Sequence, residues 1–247
     1  MADAAQARRG AGRLLSPVPR FDAVVLDLDG TLFDHRGASR AAVDDWVRAS
    51  GLAPAPHLHA AWHDAEDRHH RAWRDGLVSH EEHRRRRLRE FLPLLGRPVG
   101  DDAALDLEFH EEYLARYRLH WSGFDDVEDA LSAVAAAGLR LALLTNGVPE
   151  QQHAKLAALG LAGRVGPVLT AGELGLAKPR AEVFHAACAA VGADPARTLH
   201  VGDDHPVDVV GARAAGLRAV HLDRHGEGPV GEPERIASLR ELAALLR

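Results

Sequence analysis

The stretch FDAVVLDLDGTLFD, residues 21–34, decides the fold of this 247-residue chain. Its short aliphatic run ends in acids and a glycine, which is typical of a buried parallel strand that runs into a loop. Asp27 and Asp29 are two residues apart, so an extended backbone turns both side chains to one side. Gly30 then allows a sharp bend around a ligand. We therefore predict a first strand that ends near Asp27 beside a polar site.

After Asp125 the sequence alternates regularly between strand-like and helix-like segments. The predicted strands are LRLALLT (139–145), VGPVLT (165–170), TLHVGDD (198–204) and LRAVHLD (217–223), and the predicted helices cover 125–137, 149–159, 180–191, 206–215 and 233–246. Such β-α repeats with short joins imply right-handed crossovers. They predict an α/β fold with a doubly wound, Rossmann-like parallel sheet that includes the first strand. Ligands of such sheets bind at the carboxyl ends of the strands.

Residues 36–121 differ from the rest, because charge-rich amphipathic stretches dominate and no strand-like run occurs. Helices are predicted near 39–50, 57–75, 79–92 and 101–120, separated by prolines and glycines. Residues 1–18 show little periodicity and predict a disordered tail. The predicted organisation is a tail at 1–18, a core formed by 19–35 and 122–247, and a helical insert at 36–121.

Composition and charge exclude several classes of protein. No apolar run approaches the ~20 residues that cross a bilayer, and the N-terminus lacks the apolar segment of a secretion signal. A net charge of -6 gives no general attraction to nucleic acid or anionic lipid. The single cysteine, Cys188, cannot form an internal disulfide and is predicted to pack in the core. We expect a cytoplasmic monomer or homodimer that binds a small molecule.

Polar residues at further strand ends suit phosphoryl chemistry. The hydroxyl of Thr145 and the amides of Asn146 and Gly147 offer hydrogen-bond donors to anionic oxygens. Lys178 supplies a compact positive charge, and Asp203 offers a hard oxygen ligand. Paired with the aspartate of the first strand, Asp203 would suit Mg²⁺. Metal, lysine and threonine together can neutralise phosphoryl oxygens during in-line attack.

Lysine is rare in this chain. Of 30 basic residues only Lys155 and Lys178 are lysines, and the others are arginines. A solvated charge could be either residue type, so a lysine beside the predicted site suggests a need for a compact ammonium. Lys178→Arg is therefore predicted to impair the site. Lys155→Arg is predicted to be nearly silent.

Four ordered motifs resemble those of the haloacid dehalogenase superfamily of hydrolases. They are DLDGTL at 27–32, LLTNG at 143–147, AKP at 177–179 and VGDDHPVDVVGARAAG at 201–216. The resemblance covers nearly all of the chain outside the tail and the insert. It implies that Asp27 is a nucleophile that becomes an aspartyl-phosphate and that Asp29 is the acid/base. It also implies that the insert is a mobile cap that selects substrates.

The same resemblance implies a ligand set. Magnesium would be held by Asp27, by the backbone carbonyl of Asp29 and by Asp203, with Asp208 supporting this acidic cluster. Thr145 and Lys178 would hold the transferred phosphoryl group.

Several functions fit these motifs. An acid at position 29 favours phosphate monoester hydrolysis, because an alkoxide leaving group needs a proton whereas a halide does not. A nucleoside 5′-monophosphate or a sugar phosphate is the expected substrate. A phosphomutase or a dehalogenase of the same superfamily is the alternative. A non-enzymatic phospho-accepting receiver or a binding module is a further alternative, although receivers have their acidic pair on the first strand and their accepting aspartate later.

Other signals have simpler structural interpretations. The GxGxxG match at 226–231 is interpreted as a loop, and Asp34 and Asp204 are interpreted as helix caps or loop residues. His63, Asp67 and His70 share a helix face that could bind a metal but more simply forms a solvated face or pocket rim. Arg84 to Arg87, with Arg89, favour a solvated face, with an anion-steering edge as the functional alternative.

Overall fold

The central feature is a parallel six-stranded sheet in a computed structural model that describes residues 20–246. The strands are β1 (Ala23–Leu26), β2 (Arg140–Thr145), β3 (Val168–Thr170), β4 (Thr198–Gly202), β5 (Arg218–Leu222) and β6 (Arg235–Ile236). Their order in the sheet is β3-β2-β1-β4-β5-β6. This order confirms the predicted doubly wound α/β fold, and its direction reverses between β1 and β4. The tail predicted at 1–18 lies outside the described residues.

Helices fill the segment between β1 and β2. They are α1 (His35–Ala49), α2 (Pro56–Arg74), α3 (His80–Phe91), α4 (Asp102–Glu108) and α5 (Ala115–Leu119). The second and third match their predicted positions, and α1 begins four residues before its predicted start at 39. The fourth predicted helix is divided by a π-helical segment, Phe109–Leu114. The assignment of 36–121 as a separate cap domain stays a prediction. None of the described helices is long and apolar enough to cross a membrane.

The helices of the second half flank the sheet. They are α6 (Val127–Ala136), α7 (Pro149–Ala158), α8 (Ala171–Leu174), α9 (Ala181–Ala190), α10 (Gly211–Ala214) and α11 (Leu242–Leu245). A π-helical segment, His205–Val210, precedes α10 and completes the helix predicted at 206–215. The GxGxxG match at 226–231 is a loop, as predicted.

The helix predicted over 233–246 is wrong in its first half. There β6 extends the sheet, with His221 of β5 opposite Arg235. The hydroxyl of Ser238 then donates to the buried carboxylate of Asp126 at 2.6 Å, and the main chain turns at that point before α11 begins. Pairing at the sheet edge and this side-chain bond override the helical pattern of the sequence.

Alternate residues of β1 face two apolar layers. Val24 and Leu26 belong to a cluster that continues through the helical insert and includes Trp46, Trp62 and Tyr117. Val25 faces the other side and packs in a cluster with Cys188 of α9, which confirms the predicted buried position of that cysteine. Because β1 is fully buried on both faces, it fixes the position of the loop that follows it.

Candidate active site

The predicted site residues meet at the carboxyl edge of the sheet. Asp27 follows β1, Thr145 ends β2, and Asp203 follows β4, on the two sides of the point where the strand order reverses. Lys178 reaches the same place from the loop between α8 and α9. These residues line one wall of a cleft of about 250 Å³ whose other wall is formed by α2, α3 and the π-helical segment of the insert.

Gly30 lets the loop after β1 approach Asp203. Its φ is +84°, and a Cβ built there would lie 2.1 Å from Oδ2 of Asp203, so a larger residue would displace that carboxylate. Arg224 fixes the same loop, because its Nη2 donates to the carbonyl of Thr31 at 2.8 Å. Asp34 accepts a bond from the amide of Gly37 at the start of α1, which confirms its interpretation as a helix cap.

Lys178 bridges two carboxylates in the buried part of the site. Its Nζ donates to Oδ1 of Asp27 at 2.5 Å and to Oδ1 of Asp208 at 2.6 Å, and the side chain is 1% exposed. Burial lowers the pKa of Lys178, but the charges of Asp208 and Asp27 outweigh burial and raise it overall. Burial raises the pKa of Asp208, and Lys178 and His200 reverse this, so that it is held below its ordinary value. The lysine is therefore charged.

Three carboxylates in the site suit a divalent cation. One oxygen each of Asp27, Asp203 and Asp208 lies within 4.8 Å of the others, and among the described residues this is the one such group of potential metal ligands. Oδ2 of Asp27 is buried and has no hydrogen-bond partner in the part of the chain that the structure describes. Burial raises the pKa of Asp27 to about 7. The charge of Lys178 opposes this rise, and the like charge of Asp208 adds to it.

The carboxyl of Asp203 also lies in a region of excess negative charge. The residue is exposed to the cleft, yet the surrounding protein desolvates its carboxyl, and Asp27 and Asp208 add like charge. Its pKa is raised well above the ordinary value. Hard oxygen donors, an orphaned carboxylate oxygen and unrelieved negative charge together fit Mg²⁺.

Asp29 is held by side chains from α7. Nζ of Lys155 lies 2.5 Å from its Oδ1, and Nε2 of Gln152 donates to its Oδ2 at 2.7 Å. The same Nε2 donates to Oγ1 of Thr145 at 2.6 Å, which leaves the threonine hydroxyl proton for another acceptor. Burial raises the pKa of Asp29, but Lys155, followed by His35, lowers it overall. Asp29 is therefore ionised in this arrangement.

Lys155, whose replacement by arginine is predicted from the sequence to be nearly silent, lies in the site and not on the solvated surface. The side chain is 4% exposed, and its Nζ lies 4.7 Å from the ring centroid of Phe33 as well as against Asp29. Sequence reasoning singled out the rarity of lysine for Lys178 alone, although the signal applied to both lysines. Gln152 was missed as well, because an inward-facing glutamine on a helix has no motif of its own.

Asn146 has a different contact from the one the sequence suggested. Its Nδ2 donates to the carbonyl of Lys178 at 3.0 Å, and its Oδ1 accepts from the amide of Lys178 at 2.7 Å. The side chain thus fixes the loop that presents the lysine. Binding of anionic oxygens by the backbone amide of Asn146 stays a prediction.

The helical wall of the cleft is rich in rings and bases. From α2 it has Glu66, Asp67, His70, Trp73 and Arg74, from α3 it has His80, His83, Arg84 and Arg87, and further along it has Phe109 and Tyr113. Asp67 and His70 thus form part of a pocket rim, as the simpler interpretation expected. Arg85, Arg86 and Arg89 make ion pairs outside the cleft, whereas Arg84 and Arg87 line it.

The fold and this acidic site define an α/β protein whose ligand site lies at the switch point of a parallel sheet. The family model described as "Hydrolase: haloacid dehalogenase-like hydrolase" matches residues 21–216. The chain belongs to this family. It is a phosphatase of the family, since its curated relatives are phosphatases and it carries the acid at position 29 that a dehalogenase does not need.

Two relatives and one solved structure illustrate the similarity. The chain is 34% identical over 245 residues to the phosphoserine phosphatase of Thermus thermophilus, with 89% of this chain and 96% of the relative covered. It is 29% identical over 223 residues to the ribulose-1,5-bisphosphate 5-phosphatase of Halopiger xanaduensis, with 89% and 92% covered. The magnesium-bound HAD-hydrolase YfnB of Bacillus subtilis shares the fold, with a TM-score of 0.76, 22% identity, and coverage of 92% and 99%.

Proposed function

We propose that this protein hydrolyses a phosphate monoester of a small metabolite through an aspartyl-phosphate on Asp27, with Mg²⁺ as cofactor. The observation that carries the proposal is the state of the Asp27 carboxylate. One oxygen is bound by Lys178, while the other is buried, unpartnered and beside two more carboxylates. Such an oxygen is suited to attack phosphorus once a cation relieves the surrounding charge.

Asp27, Asp203 and the backbone carbonyl of Asp29 would hold the metal, and Asp208 would support them. When bound, Mg²⁺ would neutralise phosphoryl oxygens and the acidic cluster. Lys178 and the free hydroxyl proton of Thr145 would stabilise the same oxygens.

The reaction then proceeds in two steps on the protein. In the first, Asp27 forms a bond to phosphorus, the bond to the leaving oxygen breaks, and that oxygen takes a proton from Asp29. In the second, Asp29 removes a proton from water, which attacks phosphorus and frees Asp27. In the structure Lys155 keeps Asp29 ionised, and an ionised carboxylate is what the second step needs to accept a proton from water.

The comparisons support small phosphorylated metabolites as substrates. Two of the curated relatives are named for phosphoserine and for ribulose-1,5-bisphosphate. A cleft of about 250 Å³ also suits a small metabolite, since pockets for drug-sized ligands reach roughly 300–1,000 Å³. Nucleoside 5′-monophosphates and sugar phosphates, the classes expected from the sequence, belong in the first substrate screen. The buried free thiol of Cys188 is in keeping with a cytoplasmic enzyme, which we include in the proposal.

The decisive experiment replaces Asp27 by asparagine. Asp27→Asn removes the nucleophile while keeping the shape of the side chain, so hydrolysis of p-nitrophenyl phosphate in Mg²⁺ should fall by at least about 10³-fold. Asp34→Asn is the matched control, because asparagine also caps helices and position 34 lies in the same loop. Acid-quenched wild type should carry phosphate on Asp27. Near-wild-type turnover by Asp27→Asn, or full activity after exhaustive chelation, would disprove the proposal.

A further inference from the structure

The arginines of α3 differ in how their charges are balanced. Four of the five, Arg85, Arg86, Arg87 and Arg89, have a carboxylate within 3.1 Å. Arg84 is the exception, since no carboxylate of the described residues lies within 4.0 Å of it. Its guanidinium lies 4.7 Å from the ring centroid of Phe109, and its one hydrogen bond, to Oε1 of Gln151, is long at 3.5 Å.

Arg84 is half-buried and faces the cleft. Burial and the neighbouring charge of Arg87 lower its pKa to about 10, so it remains charged at neutral pH. The charges of Glu81, Asp106 and Glu150 act on Arg84 only from beyond 4.0 Å. A partly desolvated cation with no carboxylate in contact is stabilised when an anion joins it. Its contact with Gln151, on α7 of the core, shows that it lies where the helical wall meets the wall that carries Thr145 and Asp29. An anion bound there would share the cleft with the phosphoryl group.

His83 provides a second, independent sign of a ligand. The residue lines the cleft and is 4% exposed, yet neither of its ring nitrogens has a hydrogen-bond partner within residues 20–246. The ring is held in place by stacking on Trp73, with centroids 5.5 Å apart and planes 19° apart. Burial, with Arg87 adding to it, lowers the pKa of His83 to about 2. It is therefore a neutral ring with one N–H group to donate.

We propose that Arg84, assisted by His83, binds a carboxylate of the substrate, so that the enzyme prefers phosphate monoesters that also carry a carboxylate group. This inference rests on the proposed phosphatase function and narrows its substrate class. A carboxylate matches the planar guanidinium in shape and in its single charge. A second phosphate group would bring more negative charge than one free arginine among neutral histidines balances. A nucleoside monophosphate or a neutral sugar phosphate lacks the carboxylate.

Matched pairs of substrates test the proposal. O-Phosphoserine and O-phosphoethanolamine differ by the carboxylate alone, and 3-phosphoglycerate and glycerol 3-phosphate differ by a carboxylate in place of a hydroxymethyl group. Wild type should prefer the carboxylated member of each pair by about 10- to 100-fold in kcat/KM, the range expected for a charged hydrogen bond. Arg84→Gln should abolish the preference and change the rate on the other member by less than about threefold. Arg86→Gln, on the same helix but outside the cleft, should behave as wild type.

The possible results separate this proposal from the function on which it rests. If wild type hydrolyses p-nitrophenyl phosphate but shows no preference within either pair, the carboxylate site is disproved while the phosphatase stands. If Arg84→Gln lowers both members of a pair equally, Arg84 has only a structural role and the inference fails. A preference for a sugar bisphosphate over every carboxylated ester would also overturn it. Failure to hydrolyse any monoester would reject the proposed function itself.

Discussion

The two walls of the cleft balance charge in opposite ways. On the sheet side, Asp27, Asp203 and Asp208 share one buried cation, Lys178, so negative charge is in excess. On the helical side, Arg84 has no carboxylate of the described residues within 4.0 Å, and burial lowers the pKa values of the imidazoles that line the same wall. The acidic cluster thus has room for a further cation, and the surroundings of Arg84 have room for an anion. A magnesium-bound phosphoryl group at one end and a carboxylate at the other would complete both.

The walls also differ in what fixes their residues. The sheet side presents side chains from loops at the ends of buried parallel strands, so the backbone sets their positions. The helical side presents side chains from α2 and α3, where spacings of three and four residues put His80, His83 and Arg84 near one face. A change on the sheet side should therefore alter catalysis of every substrate. A change on the helical side should alter the choice among substrates.

The largest effect in this comparison is expected at Asp29. Asp29→Asn cannot donate or accept the catalytic proton, so kcat with alkyl phosphates should fall by about 10³-fold. Phenolic phosphates need less help in leaving, so they should suffer a smaller loss in the first step. Steady-state kinetics on both kinds of ester give the answer. An equal loss for the two would show that Asp29 does not act as the acid.

Lys178→Arg should have the next largest effect. The ammonium fits between two carboxylates at 2.5 and 2.6 Å, in a site with 1% exposure. A guanidinium is broader and would favour a bidentate pair with one carboxylate, which disturbs the metal site. We expect kcat to fall by about 10²-fold, together with weaker Mg²⁺ binding. A variant with wild-type kcat and wild-type Mg²⁺ affinity would show that the site does not depend on a lysine at position 178.

Sequence predicted the sheet side far better than the helical side. Motifs at strand ends located Asp27, Asp203 and Lys178, because a doubly wound sheet brings those ends together whatever the intervening sequence. No comparable rule predicts where residues on the faces of helices will lie. The run of arginines in α3 was recognised, but only the three-dimensional packing distinguishes Arg84 from its paired neighbours. The contact between Lys155 and Asp29 spans 126 residues and depends on how α7 packs.

Lys155→Arg should have a moderate effect, in contrast to its predicted silence. The lysine is packed against Phe33 and holds Asp29, so the larger guanidinium would shift the carboxylate. Gln152 would keep its own bond to Asp29, so we expect kcat to fall by only about tenfold. His153→Arg, which adds a guanidinium to the exposed face of the same helix, is the control. Equal kcat for wild type and Lys155→Arg would restore the original prediction.

The smallest predicted effect is the pH dependence of Mg²⁺ binding at the sheet wall. The pKa of Asp27, raised by burial to about 7, means that the carboxyl becomes protonated as pH falls through this value. Since Mg²⁺ needs the ionised form, its affinity for the free enzyme should weaken by at least about fivefold from pH 7 to pH 6. The proton on Asp203, whose pKa is also raised, can only steepen this change. Calorimetric titration with Mg²⁺ at each pH measures this change in affinity. The control variant Asp34→Asn should show the same change with pH as wild type.

The four groups of the helical wall at and around Arg84 should not respond over the same range. Burial lowers the pKa values of His70 and His80 to about 4 and that of His83 to about 2, while the pKa of Arg84 is about 10. None of these groups changes charge between pH 6 and pH 8. Binding of D-glycerate, a carboxylate without a phosphoryl group, should therefore be constant across this range in wild type and be lost in Arg84→Gln. Glycerate binding that follows the pH dependence of Mg²⁺ would mean that both ligands occupy the sheet wall, and the assignment of opposite ends of the cleft would be wrong.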